Sequence, residues 1–345
     1  MPLSRSGWPH PVRFSPEHPQ PEPAGQNPGP QETAGAPGRK PAGRRTTVNY
    51  QDVYGLVGGT PHVQIPHDGA SAARIHLKLE GYNPTGSIKD RAGLRLIQDS
   101  LAGGRLRPGM TLLDASSGNM GCSLAYFGRL LGYATKVISS SKLTEDKRGF
   151  MRYFGAEVEQ VGDFTIEGNR ICSEIAGNEP DRYCFLDQLH SWANPQAHYD
   201  TTGPEILAAF PDVALLVGSL GSGGSLFGTA RFLKEMRPGI QVVAVQAAAG
   251  TRLPGTGAFD DGDYVTPFIR RGYEEGIFDH QIKIEASQAI ARTRELRDRG
   301  IFTGLQTGGV FHAAIASARD LAIQGDVVAL SGDSGWKNME KLAQI

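Results

Sequence analysis

Residues 111–161 read TLLDASSGNMGCSLAYFGRLLGYATKVISSSKLTEDKRGFMRYFGAEVEQV, and the order of patterns in them decides the fold. An apolar run at 111–114 predicts a short strand. Residues 120–131 place apolar side chains at helical spacing and are closed by Gly132, the residue type that most often ends a helix. A second strand is expected at 134–139. A second helix follows at 145–154, closed by Gly155, and a third strand at 157–161. Strands joined through helices in this way form parallel sheets covered by helices.

The same alternation continues outward. Ile75, Leu77 and Leu79 alternate as in a strand. A polar loop follows at 80–87, then a helical distribution of Ala92, Leu94, Leu96 and Ile97 within 88–101. Farther on, 214–217, 241–246 and 326–330 are apolar, β-branched runs beside helical patterns, one of them at 226–236. With 345 residues, two such α/β units fit the length. In these folds ligands bind outside the carboxyl ends of the strands.

Composition excludes several classes. Lys and Arg total 35 against 36 Asp and Glu, so no general attraction to nucleic acid or to an anionic membrane is expected. No apolar run approaches the roughly 18 residues of a membrane span. Three cysteines (Cys122, Cys172 and Cys184) show no metal-ligand spacing; no metal is expected, and so sparse a set favours a reducing, cytoplasmic setting. Residues 1–45 hold 11 of the 22 prolines and no hydrophobic periodicity. They are expected to be a disordered tail, lacking the apolar core of a secretory signal.

Three loops fall at expected strand ends. Residues 83–91 read NPTGSIKDR and bring Lys89 to the first turn of a helix. The helix dipole and desolvation both disfavour an ammonium there, and a neutral amine is what Schiff-base chemistry needs. A lysine opening a helix is otherwise a solvated surface charge. Residues 116–121 read SSGNMG and open the next helix; its N–H groups suit a carboxylate, or the segment is an ordinary cap. Residues 218–225 read GSLGSGGS between a strand and a helix, where N–H groups and serines can wrap a phosphate. This stretch carries neither the Lys-Ser/Thr ending of a nucleotide loop nor the acidic partner of a dinucleotide fingerprint. An aldehyde-binding lysine, a carboxylate loop and a phosphate cup are together what pyridoxal 5′-phosphate and an amino acid require.

These stretches resemble the cysteine synthase and cystathionine β-synthase family, as does NPQAHYDTTGPEI at 194–206. The resemblance runs from about residue 50 to 335. It implies the tryptophan-synthase-β-like fold: a larger cofactor-binding domain from 46–90 and 190–345, and a smaller mobile one from 91–189. It implies Lys89 as the Schiff-base lysine and proton carrier, with Asn119 at the cofactor's 3′-oxygen. Gly221, Ser222, Gly223, Gly224 and Ser225 become the phosphate loop. Ser116, Ser117, Gly118 and Met120, joined by Gln188, become the substrate-carboxylate site. A homodimer acting on small amino acids is implied too.

Departures from the family are visible. Met120 replaces a usual threonine, which removes a hydroxyl and is expected to shape the pocket for a nucleophile larger than sulfide. The serine facing the pyridine nitrogen falls at Gln306 or Thr307, both neutral, and residues 331–338 (SGDSGWKN) differ from the usual ending. Thr144, Lys147 and Arg148 lie where relatives gate the site, or else on a solvated helix face. The implied chemistry is β-replacement on O-acetylserine, O-phosphoserine or a similar serine derivative through an α-aminoacrylate intermediate. The alternatives are a serine/threonine dehydratase and a catalytically silent homologue serving as a binding partner.

Overall fold

The computed structural model describes residues 50–67 and 72–345, so the expected tail at 1–45 lies outside the described residues. The strands within the compact unit Asn49–Ile345 are, in chain order, β1 (His62–Ile65), β2 (Ala73–Leu79), β3 (Thr111–Ala115), β4 (Ala134–Ser139), β5 (Glu157–Gln160), β6 (Tyr183–Phe185), β7 (Leu215–Ser219), β8 (Gln241–Ala247), β9 (His280–Ile284) and β10 (Gly325–Ser331). They build a six-stranded sheet of order β1-β2-β10-β7-β8-β9 and a four-stranded sheet of order β5-β4-β3-β6. Among the named strands of the described residues, β1 against β2 is antiparallel and the other pairings are parallel.

The helices are α1 (Lys89–Ala102), α2 (Asn119–Leu131), α3 (Glu145–Tyr153), α4 (Thr165–Asn178), α5 (Ala193–Asp200), α6 (Thr202–Ala209), α7 (Gly224–Met236), α8 (Pro267–Glu274), α9 (Ala286–Asp298) and α10 (Leu305–Asp320). Central strands such as β7 (LLVGS) are buried on both faces, which is why they read as continuous apolar runs without alternation. On one face of the large sheet, Leu226, Phe227 and Phe268 of α7 and α8 pack on Leu216, Val242 and Val328. On the other, Val310, Phe311 and Ala314 of α10 pack on Val217, Val243 and Val327. In the small sheet Leu112 faces α1 and α2 while Leu113 faces α4. Its edge strand β5 carries Glu157 and Glu159, both ion-paired to Lys136, a charged edge that discourages further strand addition.

The expected elements of 111–161 recur within a residue or two of the observed bounds. Strands β1, β6 and β9 are additional. β1 and β9 are edge strands, partly solvated and polar, and carry little apolar signal.

A buried charge cluster locks α1 to the large sheet. The Arg91 guanidinium donates to both Glu80 oxygens (2.7 and 2.8 Å) and to both Glu205 oxygens (2.8 Å each). Lys78 Nζ donates to Glu205 at 2.7 Å, and Thr60 Oγ1 to Glu80 at 2.7 Å. Burial alone would raise both carboxyl pKa values; Arg91 and Lys78 outweigh it and hold each at about 2, against an ordinary 4.5. A depressed carboxyl pKa gives stability that is complete above the unfolded value and lost as pH falls through the folded one. Acid unfolding is therefore expected to set in below pH 4.5 and steepen toward 2. Arg91→Met leaves the buried Glu80 and the part-buried Glu205 under-compensated and is expected to cost about 3–5 kcal/mol in urea unfolding; a loss below about 1 kcal/mol would contradict the role given to this cluster.

Candidate active site

The carboxyl ends of β2, β3, β7 and β10 converge. After β2, Thr85 donates through its N–H and its hydroxyl to Asp90 (2.7 and 2.6 Å), closing the loop that precedes Lys89. The Ile88 N–H donates to Gly332 O at 2.8 Å and the Ser334 N–H to Gly86 O at 3.0 Å, so the loops after β2 and β10 are laced together. Lys89 is the first residue of α1 and lines a cavity with Asn119, Gly221, Ser225, Gln306 and Asp333. Burial lowers its pKa from 10.5 to about 8. Near neutrality a useful share of the amine is unprotonated.

After β3, the Ser116 hydroxyl accepts from the Gly118 and Gly121 N–H groups (3.0 and 2.9 Å). It shapes the loop from within. Ser117 is exposed, and Asn119 opens α2. Asn119 Nδ2 donates to Asp333 at 2.9 Å, while its buried Oδ1 has no hydrogen-bond partner among the described residues. Gln188 lies beside the start of this loop, its Nε2 donating to Ala115 O at 2.6 Å. The Met120 side chain does not face the cavity. It is buried with Ala92, Leu96 and Leu124 between α1 and α2, because the position after Asn119 falls on the inner face of α2. The expectation that this side chain shapes the nucleophile pocket is corrected: it packs in the core between α1 and α2 and does not line the cavity.

After β7, Gly223 caps α7 at φ 82°, in the left-handed region that favours glycine. A Cβ on Gly224 would lie 2.3 Å from the Asn194 side chain. Asn194 in turn donates to Gln188 O (2.8 Å) and Ser222 Oγ (3.1 Å), tying this loop to the one that carries Gln188. Ser222 is held from its other side by Thr266, which donates to its carbonyl at 2.6 Å. Gly221 and Ser225 face the cavity. Of the two neutral residues near the start of α10, Gln306 reaches the cavity and donates to Ser219 Oγ, whereas Thr307 is buried and pairs with Ser331 Oγ at 2.9 Å. Thr144 and Lys147 are buried and so do not form a solvated face; Arg148 pairs with Glu145 at 3.0 Å.

Sequence reasoning missed two residues. Asp333 accepts from Asn119 and, at 3.0 Å, from Asn338, and it sits in the very segment read as a departure. Asn194 lay within a quoted motif but had no role, since a buried amide bridging two loops leaves no local pattern.

The family described as "Pyridoxal-phosphate dependent enzyme" matches residues 53–333. The chain belongs to this family. Among relatives of this pyridoxal-phosphate-dependent enzyme, cysteine synthase B of Pseudomonas aeruginosa is 33% identical over 293 residues, spanning 84% of this chain and 96% of that protein. Cysteine synthase B of Salmonella typhimurium is 36% identical over 292 residues, 81% of this chain and 91% of that one. Among solved structures, a hydrogen sulfide-producing enzyme from Fusobacterium nucleatum superposes with TM-score 0.77 at 29% identity, covering 85% of this chain and 99% of that one. An O-ureido-L-serine synthase superposes with TM-score 0.76 at 25% identity, covering 84% and 93%. The enzyme's residues fit the cofactor: an amine of lowered pKa, Gly221 and Ser225 of the loop that opens α7, and an orphaned Asn119 oxygen border one space.

Gly224→Ala must displace Asn194 and break its two bridging hydrogen bonds, at about 1 kcal/mol each. Cofactor affinity, read by fluorescence titration of the apoprotein, is expected to fall about tenfold or more; an unchanged dissociation constant would contradict a cofactor-holding role for the loop that opens α7. The rate of pyridoxal phosphate capture by apoprotein is expected to rise with pH through about 8, as Lys89 loses its proton. A rate that is flat between pH 6 and 9 would count against the lowered pKa.

Proposed function

We propose that the enzyme catalyses β-replacement on a serine-type amino acid such as O-acetylserine or O-phosphoserine, giving cysteine or another β-substituted alanine. The observation that carries this reading is the meeting of Lys89, Asn119, Gly221, Ser225 and Gln306 around one cavity. Its relatives are cysteine synthases, and one structural neighbour is an O-ureido-L-serine synthase, which supports a serine derivative as the electrophile.

Pyridoxal phosphate, when bound, supplies an aldehyde for an amine and a ring that takes up electron density from the substrate α-carbon. In this reading Lys89 would hold the cofactor through its Nζ, and the same Nζ would take the proton of the substrate α-carbon. The N–H groups opening α7, with Ser225, hold the phosphate. Asn119 would meet the ring oxygen, and Gln306, as a neutral amide, would meet the ring nitrogen. The N–H groups of 117–120, with Gln188, orient the substrate carboxylate. We further read the enzyme as a cytoplasmic homodimer; the free, buried Cys122, Cys172 and Cys184 fit a reducing compartment.

The test supplies O-acetylserine or O-phosphoserine with sulfide to the cofactor-loaded enzyme and follows release of acetate or phosphate against formation of cysteine. Matched release and product are expected. Lys89→Ala is expected to abolish turnover and to leave no pyridoxyl label on the 89-containing peptide after borohydride reduction. Pyruvate and ammonia formed in place of product, with sulfide present, would overturn the reading in favour of a dehydratase.

A further inference from the structure

A second cavity, of about 330 Å³, lies beside the cofactor site and is bordered by the loop 83–86, by α2 and α3, and by the segment 334–337. Two lysines line it. Lys337 is 7% exposed, yet its Nζ has no hydrogen-bond partner among the described residues and rests 4.5 Å from the centre of the Phe150 ring. Lys147 is 6% exposed, and its ammonium pKa is lowered by burial, with Asp333 opposing. Neither lysine takes part in an ion pair found among the described residues. Of the nearby acids, Asp90 accepts from Thr85 and Asp146, which also lines the cavity, accepts from the Glu340 N–H at 3.0 Å; Asp333 accepts from Asn119 and Asn338 through Oδ2 alone, and its buried Oδ1 has no hydrogen-bond partner among the described residues.

Both lysine stems run along the loops of Gly118 and Gly86; Gly118 leaves the Lys147 stem its room, whereas Lys337 lies in ordinary contact range of Gly86. A Cβ on Gly118 would lie 2.4 Å from Lys147 Cδ, and one on Gly86 would lie 3.6 Å from Lys337 Cε. Gly86 belongs to the loop that presents Lys89, and Gly118 to the loop assigned to the substrate carboxylate. A buried, unpaired ammonium is costly unless an anion completes it. With Lys337 Nζ buried and unpartnered and Lys147 lining the same cavity, there is space for a phosphate or a short acid.

We propose that this cavity is an oxyanion subsite, in which Lys147 and Lys337 hold a phosphate or carboxylate group brought by the reactants. The assignment to reactants rests on the β-replacement reading. The oxyanion is either the phosphate of an O-phosphoserine substrate or a carboxylate on the incoming nucleophile, and charge-assisted hydrogen bonds from two ammonium groups serve either one.

The test begins without turnover. Inorganic phosphate is titrated into the full-length, cofactor-loaded enzyme, whose phosphate cup is already filled, and binding is followed by calorimetry. Saturable binding is expected, weakened about tenfold or more in Lys337→Met and in Lys147→Met. Absence of binding, or equal binding in wild type and both variants, would overturn the proposal whatever the enzyme's activity. Kinetics then separate the sources in Lys337→Met. A KM raised about tenfold for O-phosphoserine, with O-acetylserine unchanged, assigns the leaving group. A KM raised for mercaptoacetate but not for mercaptoethanol, with O-acetylserine as co-substrate, assigns the nucleophile. If phosphate binding weakens in the variants while neither KM moves, the subsite does not serve the reactants and that assignment is overturned. Failure of all turnover in wild type would refute the β-replacement reading and leave the phosphate titration to judge the subsite.

Discussion

A guanidinium buried between two carboxylates determines where Lys89 emerges. Arg91 lies two residues after Lys89 in α1, and it is gripped by Glu80 from the end of β2 and Glu205 from α6. With the charges out of water, each partner's desolvation must be offset by complete pairing, so the cluster tolerates little displacement. Asn83 joins it, donating from Nδ2 to Glu80 at 2.8 Å and accepting from the Gly58 N–H at 2.8 Å, which carries the restraint into the turn preceding Lys89. The amine therefore stands on a helix whose first turn is bolted at three points, as pre-organised chemistry requires.

Around that fixed amine the other groups come from strand ends that are distant in sequence. The Asn119–Asp333 hydrogen bond joins the end of the small sheet to the end of the large one. Asn194 joins the 221–225 loop to the strand-end segment carrying Gln188. Each loop borrows its shape from another, which is how flexible glycine-rich segments acquire a single geometry.

Legibility in the sequence followed the range of the interactions. The segments around Lys89, Asn119 and 221–225 stood out because a strand, a turn and a helix start leave a local pattern, and four such patterns together pointed to the family. Gln306 and Thr307 could not be told apart, since the choice depends on Ser331 drawing Thr307 away. Met120 was misread for a similar reason. A residue beside a functional loop looks functional until the face of its helix is known, and α2 turns that face onto α1. The Lys147–Lys337 cavity was invisible because it brings α3 to the chain's last turns, with no periodicity to announce it.

The large sheet has one further property. Its strand β10 sits between β2 and β7, and the paired side chains Arg74 and Asp326 are 252 residues apart in the chain. The small sheet draws its four strands from 111–185 and needs nothing beyond them for its ladder. During synthesis the small sheet can close while the large one still lacks its central strand, because domains assemble as their segments leave the ribosome. Through that interval β2 and β7 wait with unsatisfied inner edges, and long-range parallel pairing is the slow kind. Catalytic competence therefore arrives late in the life of a nascent chain, set by the last strand to be translated.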